Sequence, residues 1–359
     1  MSKVTFIERD ACAFVTDLKT AVTDYFERSG ISDKANFAMI RKTVVILAMT
    51  FGAYALIMSG RFAPWEMLIL AIAIGVGIAG MGFSIGHDAL HGAYSSHPWI
   101  NRIFGLTFDL VGANGYMWKL THNVIHHTYT NIHGVDEDLT VSPMLRLSPH
   151  TPHQWFHRFQ HLYAFLAYSF TTIFWVFIKD YKYFMLPDLG PYKNIKHPFS
   201  QVVTMLIMKI VYYSWTIVIP MIVLPIPWWQ IAIGYVAMNL TAGLILGIVF
   251  QLAHVVEHTE HPLPDSAGNM ELAWTLHEMA TTSNFGRNNK LLSWYIGGLN
   301  FQIEHHLFPK VCSIHYPSLS KIVESLAVKH GIPYHAHPTM RAAVASHYRT
   351  LKNLGRSAA

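Results

Sequence analysis

Charge is the first thing this chain lacks. Only 13% of its 359 residues are Asp, Glu, Lys or Arg, about half the roughly 25% of an ordinary soluble domain. With 52% hydrophobic residues, that deficit points to a membrane before any segment is read. Cysteine is scarce too. Cys12 and Cys312 stand far apart, which argues against a disulfide framework and for two free thiols in a reducing compartment. No Pro/Gly/Ser-rich linker or low-complexity tract divides the chain, and no internal repeat is visible. The first 40 residues mix Lys3, Glu8, Arg9 and Asp10 and hold no apolar signal core, so the N-terminus is expected to stay cytoplasmic. A nucleic-acid partner is not expected.

Long apolar runs are what the chain has instead. A span needs about 20 mainly apolar residues. Four runs meet or approach that: about 43–60, 64–85, 202–224 and 228–253. Links of three residues join the first two and the last two, so each pair reads as a tight helical hairpin. Trp65, Trp228 and Trp229 suit an interfacial belt. Arg41 and Lys42 precede the first run, and Lys179, Lys182, Lys193 and Lys196 lie between the hairpins; the outer turns offer only Arg61. The bias toward positive charge inside then places both termini and the middle section in the cytoplasm. Tyr163–Ile178 carries no formal charge but spans only about 24 Å as a helix. It is read as a helix lying in the interface, because a fifth crossing would separate the histidines of the middle and C-terminal parts. Phe104–Trp118, interrupted by Asp109, Gly112 and Gly115, is also placed at the surface. Amphipathic helices are expected near Ala13–Arg28, with Phe14, Leu18, Val22 and Tyr25 on one face, and near Ser318–His330, with Leu319, Ile322, Val323 and Leu326.

Histidine is the outlier: there are 23, more than the 21 Asp plus Glu. Four clusters stand out, at "HDALH" (His87, His91), "HNVIHH" (His122, His126, His127), "HVVEH" (His254, His258) and "QIEHH" (His305, His306). Residues at i and i+4 share a helix face, so His87/His91, His122/His126 and His254/His258 can each offer two imidazoles in one direction. Consecutive residues turn by about 100°, so each doublet can address two different ions. A single His-x-x-x-His pair is common by chance and can simply meet headgroups. Four clusters on one face of the membrane, two of them at the ends of even-numbered spans, point to metal. Imidazole suits Zn, Cu, Fe and Ni. Nine candidates exceed the four ligands of a structural zinc site and favour two ions of higher coordination number, hence iron. His133, His150, His153, His157 and His161 are expected at the surface or headgroup level.

These residues resemble the integral-membrane fatty acid desaturases, whose three histidine boxes are matched in order by "HDALHGAYS", "HNVIHHTYTN" and "FQIEHHLFP". The resemblance covers about residues 40–335. It implies an all-α membrane fold: four transmembrane helices in two hairpins, with a cytoplasmic helical cap holding a di-iron site. Residues 1–40 then form a cytoplasmic amphipathic region, 41–335 the membrane desaturase domain and 336–359 a basic tail. The implied cofactor is two iron ions, held by His87, His91, His122, His126, His127, His305 and His306. Gln302 occupies the first position of the third box, a variant typical of front-end and related sphingolipid-type desaturases. As a poor iron ligand it leaves one iron short of an imidazole, which His254 or His258 is expected to supply. Asp88, Asp136, Asp138, Glu257 and Glu304 are candidates for bonds to imidazole N–H groups, and Asn131 for a hydrogen bond beside the second box. The implied reaction uses O2 and two electrons to place a cis double bond in an acyl chain, carried on CoA or on a phospholipid. The His-Pro pairs at 97, 197, 261 and 337 lack the Gly-Gly of a fused cytochrome b5 domain. Electrons are therefore expected from a separate donor, of ferredoxin or cytochrome b5 type with its reductase. No acidic residue follows Glu324, whereas Lys329, Arg341, Arg349, Lys352 and Arg356 do; such a tail suits anionic membrane lipid at the inner leaflet, or the phosphates of an acyl carrier. Two rivals are a membrane di-iron hydroxylase and a non-enzymatic, His-rich metal-binding membrane protein. Transport sites normally place ionisable residues within spans, and here the spans hold only Glu66 and Lys209 before their cytoplasmic ends.

Overall fold

The computed structural model describes residues 4–6, 13–139 and 143–356; Lys3, Glu8, Arg9, Asp10 and Cys12 lie outside them. Among the described residues, four helices are long and apolar enough to cross a membrane: Phe37–Met58, Pro64–Leu90, Phe199–Val223 and Trp228–His254. The first starts where the Asn36 side chain accepts the Met39 N–H at 3.2 Å, a standard N-cap. The second starts at Pro64, with Glu66 accepting the Ala63 N–H at 2.7 Å. The charge of Glu66 thus serves the helix end. The second helix is the inner one, and 61% of its apolar window is buried against 22% for the first and third. Glycines permit this: a Cβ at Gly75 would stand 2.4 Å from the Met238 carbonyl of the fourth helix, and one at Gly77 would stand 2.1 Å from Thr50 Oγ1 of the first. Small residues that let backbones approach are the usual means of packing helices in lipid.

The middle segment departs from its expected place in the interface. Trp155–Ser169 and Thr171–Met185 form a helix pair bent by 60°. The bend sits beside the fourth span, where Thr172 Oγ1 donates to the Asn239 carbonyl at 2.7 Å and Gly243 faces the Ser169 carbonyl. Asn239 is 15 residues before His254, about 22 Å along the helix, so the pair dips deep into the apolar layer. Both ends emerge beside the histidine clusters. His157 Nε2 lies 3.0 Å from the Pro143 carbonyl, and Tyr183 and Gly190 bond Glu137 just after the second cluster. The pair is therefore re-entrant, and the four spans remain an even count. A buried ion pair holds it: Lys209 Nζ of the third span lies 2.7 Å from Asp180 Oδ2 and 2.7 Å from the Gly112 carbonyl. The helix Pro98–Leu110 turns Trp99, Ile103 and Leu106 outward and Gly105, Phe108 and Asp109 inward, as expected of a helix lying at the surface.

The two amphipathic helices pack on each other. Phe14, Leu18 and Val22 of Ala13–Ser29 share one cluster with Leu319, Val323 and Ala327 of Tyr316–His330. Among the described residues, strand content is two parallel two-residue pairs, Thr5–Phe6 with Asn269–Met270 and Asn284–Phe285 with Ala336–His337. The last helix, Met340–Arg356, docks on the re-entrant pair and on the end of the fourth span. It covers His157 and His161, which are buried and not surface residues as expected; Gly355 approaches the His157 backbone, where a Cβ would stand 2.1 Å from the carbonyl oxygen.

Candidate metal centre

Three of the four histidine clusters are built at a change of helical winding. Gly82–Gly86 forms a π-helical turn directly before His87, and Lys119–His126 forms another through the second cluster. Such i→i+5 turns gather at functional sites. The second also alters the pairing expected from α-helical spacing, while His87 and His91 keep theirs. His122 and His126 stay stacked at 5.1 Å with both Nδ1 atoms toward Asp138, but it is His127, five residues on, whose Nε2 lies 3.2 Å from His122 Nε2. That distance suits two nitrogens each about 2.1 Å from a common ion. The third change of winding is an end. The fourth span stops at His254, with Val255 at φ −121°, ψ 62°, and His258 sits at φ 76°. His254 and His258 therefore do not share a face. His258 stacks on His335 at 5.8 Å, apart from the other histidines.

The remaining eight converge. The ligand atoms of His87, His91, His122 and His305 lie within 4.8 Å of one another, and so do those of His126, His254 and His306. His127 stands between, 4.5 Å from His305 and 4.3 Å from His306 by ring centres. All eight are buried. In the His126 group each Nδ1–H has a fixed acceptor: Asp136 Oδ2 at 3.0 Å, the Thr281 carbonyl at 3.3 Å and Glu278 Oε2 at 2.7 Å, for His126, His254 and His306 in turn. The Nε2 atom of each is buried with no partner. His305 follows suit, with Nδ1 3.2 Å from the Tyr316 hydroxyl and a bare Nε2. A buried imidazole nitrogen without a partner is costly, and here several face the same two points. Carboxylate or carbonyl on one nitrogen and an open second nitrogen is how metal-ligating histidines are held. The donor set thus fits metal, and all-imidazole donors fit iron among other transition ions.

Burial pushes His91, His122, His127, His305 and His306 well below the usual imidazole range. His126 is the exception: burial opposes its charge, but the Asp136 carboxylate outweighs this and holds it up at about 9. Burial pushes Glu278 well above the usual carboxyl range.

The other expected partners are placed as follows. Asp88 Oδ2 accepts from Ser313 N at 3.0 Å, Ser313 Oγ at 2.8 Å and Cys312 Sγ at 3.2 Å, tying the first box to the chain just after the third; its Oδ1 is 3.7 Å from His87 Nδ1. Asp138 lies 3.7 Å from His122 Nδ1 and 3.8 Å from His126 Nδ1. Asn131, at φ 61°, bonds the His254 and Glu260 carbonyls at 3.0 Å and so joins the second box to the end of the fourth span. Gln302 is buried at the start of the helix Gln302–Leu307. Glu304 is buried but bonds Asn284 and Tyr334, each at 2.8 Å, with no imidazole; burial raises it to about 7. Glu257 pairs with Arg349 at 2.7 Å. Sequence reading passed over Glu278 and Tyr316. An acid beside His277 in the otherwise uncharged turns of Trp274–Thr281 was the available signal for Glu278.

Comparison with known proteins agrees with this geometry. The fatty acid desaturase family profile matches residues 63–338. The chain is 36% identical over 354 residues to the sn-1 linoleoyl-lipid 6-desaturase of Arthrospira platensis, covering 98% of this chain and 95% of that one. It is 35% identical to the enzyme of the same name from Synechocystis sp., covering 95% of each. Against the acyl-lipid (8-3)-desaturase of Physcomitrium patens it is 33% identical, over 95% of this chain and 72% of that protein. With four spans, eight converging imidazoles and a family match over most of its length, the chain belongs to the fatty acid desaturases, membrane-bound oxidoreductases of fatty acyl chains.

Proposed function

We propose that this protein is a di-iron, O2-dependent desaturase acting on an acyl chain of a membrane lipid, with its metal centre on the cytoplasmic side. One iron is held among His87, His91, His122 and His305, the other among His126, His254 and His306, and His127 stands between them. His254, and not His258, supplies the imidazole that Gln302 does not. The observation that carries this reading is the set of bare, buried ring nitrogens aimed at two points. The acyl-lipid substrate is supported by the names of the relatives, and a double bond on the carboxyl side of the chain by Gln302. Lysines between the hairpins support the cytoplasmic side.

When bound, the irons supply the oxygen-dependent cleavage of two C–H bonds: R–CH2–CH2–R′, O2, two electrons and two protons give the cis alkene and two waters. The protein's part is to hold the ligands, orient the chain and exclude water. Asp136, the Thr281 carbonyl and Glu278 keep the Nδ1 protons in place and so aim each Nε2. Trp118, stacked on His122 at 4.3 Å, and Phe250, 5.2 Å from His126, flank the centre. Behind them runs a narrow apolar slot lined by Ile78, Gly82, Phe108, Val111, Trp175 and Leu246, with Phe108 4.9 Å from Trp118. At about 20 Å³ it must widen to receive the methyl end of the chain. The test is metal analysis of purified protein beside lipid profiling of a host expressing it. About two irons per chain and a new unsaturated acyl chain are expected. Zinc in their place, with an unchanged lipid profile, overturns the reading.

A further inference from the structure

Apart from the metal centre, the cap carries a polar groove of about 520 Å³, lined among others by His258, Ser283, His335, His337 and Arg349. No step of the reaction uses it. Its floor is nevertheless wired to both histidine groups. Ser283 N donates to the Ala253 carbonyl at 2.8 Å, and Ala253 is the covalent neighbour of His254. Asn284 N donates to the His335 carbonyl at 2.9 Å, while Asn284 Oδ1 accepts the Ile303 N–H at 2.9 Å, two residues from His305. From the groove, one or two hydrogen bonds and a short stretch of backbone therefore reach either group.

The helix that forms one wall of the groove carries a basic stripe. Arg341, Arg349, Lys352 and Arg356 lie on the docked helix Met340–Arg356; at 100° per residue they fall within an arc of about 80°. Arg341, Arg349 and Arg356 are exposed. No carboxylate follows Glu324 in the sequence to offset them, and Glu257 at the groove is held by Arg349 at 2.7 Å.

We infer that this groove and the basic stripe beside it dock an acidic one-electron carrier protein, whose electrons enter through Ser283 and Asn284. The inference rests on the desaturation reading, which requires two electrons, hence two carrier oxidations, per double bond. Opposite charge on the partner speeds encounter and fixes its orientation, and the groove sets where it stops.

The experiment uses the full-length protein in nanodiscs, with reduced plant-type ferredoxin as the probe carrier. Turnover driven by dithionite serves as the measure of an intact metal centre. In the double variant R341E/K352E, the KM for ferredoxin is expected to rise about tenfold or more, its salt dependence to flatten, and dithionite-driven turnover and the lipid KM to stay unchanged. The neutral double variant R341Q/K352Q is expected to fall between. Binding of oxidised ferredoxin needs no turnover and should weaken in parallel. An unchanged ferredoxin KM and affinity overturns the proposal. So does a variant that loses turnover with both reductants in nanodiscs containing phosphatidylglycerol, because the stripe would then serve the lipid surface. Wild-type protein that binds ferredoxin in a salt-sensitive way yet makes no alkene even with dithionite would sink the desaturase reading while supporting the docking surface.

Discussion

Glu278→Gln is the sharpest perturbation of the metal centre. Glu278 has no solvent exposure, and its Oε2 lies 2.7 Å from His306 Nδ1 and 2.9 Å from Thr130 Oγ1. Glutamine keeps the volume and one acceptor oxygen but puts an amide N–H where the acid's buried Oε1 has no partner. Loss of such a supporting bond lowers metal affinity by about 10–100-fold, or about 1.4–2.7 kcal/mol. The loss should be confined to the group of His126, His254 and His306. The four-histidine group of His87, His91, His122 and His305 has its own supports, among them Tyr316 on His305 at 3.2 Å. Iron release to a chelator should therefore show two phases, and only one should accelerate in the variant. Unfolding temperature should change little, because no cavity is created. Two unchanged phases, or two phases accelerated alike, would refute the idea that Glu278 acts through His306. Glu278→Ala is harsher: it opens a cavity and takes the acceptor from the His306 N–H, at about 1–3 kcal/mol, while the Thr130 hydroxyl keeps the His126 carbonyl at 2.7 Å.

His254→Ala should cost one bound iron and nearly all desaturation, while His258→Ala should keep both; equal iron contents by elemental analysis in the two variants would contradict this. Lys209→Met strands the buried Asp180 carboxyl and should destabilise the fold by about 3–5 kcal/mol, seen as an early thermal transition in detergent; an unchanged midpoint would mean the re-entrant pair does not depend on this ion pair. His347 is buried between Tyr168 and the Val255 carbonyl, at 2.9 and 2.6 Å, and burial lowers it to about 4. Its folded value lies below the unfolded one, so its contribution is complete above about pH 6.5 and is lost as pH falls toward 4, about 2 kcal/mol at pH 5. His347→Gln should flatten that part of the stability profile, and an unaltered slope between pH 6.5 and 4.5 would count against it.

The spans were legible because lipid demands a long apolar run and the chain has little else to offer. The boxes were legible because histidine has no packing reason to be there. What spacing could not give was direction. An i,i+4 rule assumes α winding; it holds for His87 and His91, but the π turn at Lys119–His126 pairs His122 with His127 instead. His254 and His258 separate for a similar reason: the helix ends between them. Depth was the other gap. A short uncharged run reads the same whether it lies flat or dips, and only the glycines at 243 and 247 of the fourth span, which admit the Tyr168–Ser169 backbone and side chain, hinted at the re-entrant pair. Glu278 was hidden because its partner His306 is 28 residues away. Burial of a carboxylate is a tertiary fact that no local pattern carries.

The supports of the histidines also say something about how the fold closes. Asp88 at the end of the second span holds Ser313 beyond the third box. Asn131 beyond the second box holds the carbonyls of His254 and Glu260, and Glu278 reaches both His306 and Thr130. Each box is thus fixed by residues from another part of the chain, and none can be aimed until its neighbours have docked. Bare imidazole nitrogens in a dry cap are unfavourable on their own, whereas bound cations satisfy them together. Metal binding and closure of the cap over the span ends are then one coupled event. The four spans, whose packing rests on glycine contacts such as Gly75 and Gly77, make no such demand. Metal removal should therefore loosen the cap while leaving the membrane helices in place, with amide exchange rising first around Asn131, Thr281 and Ser313.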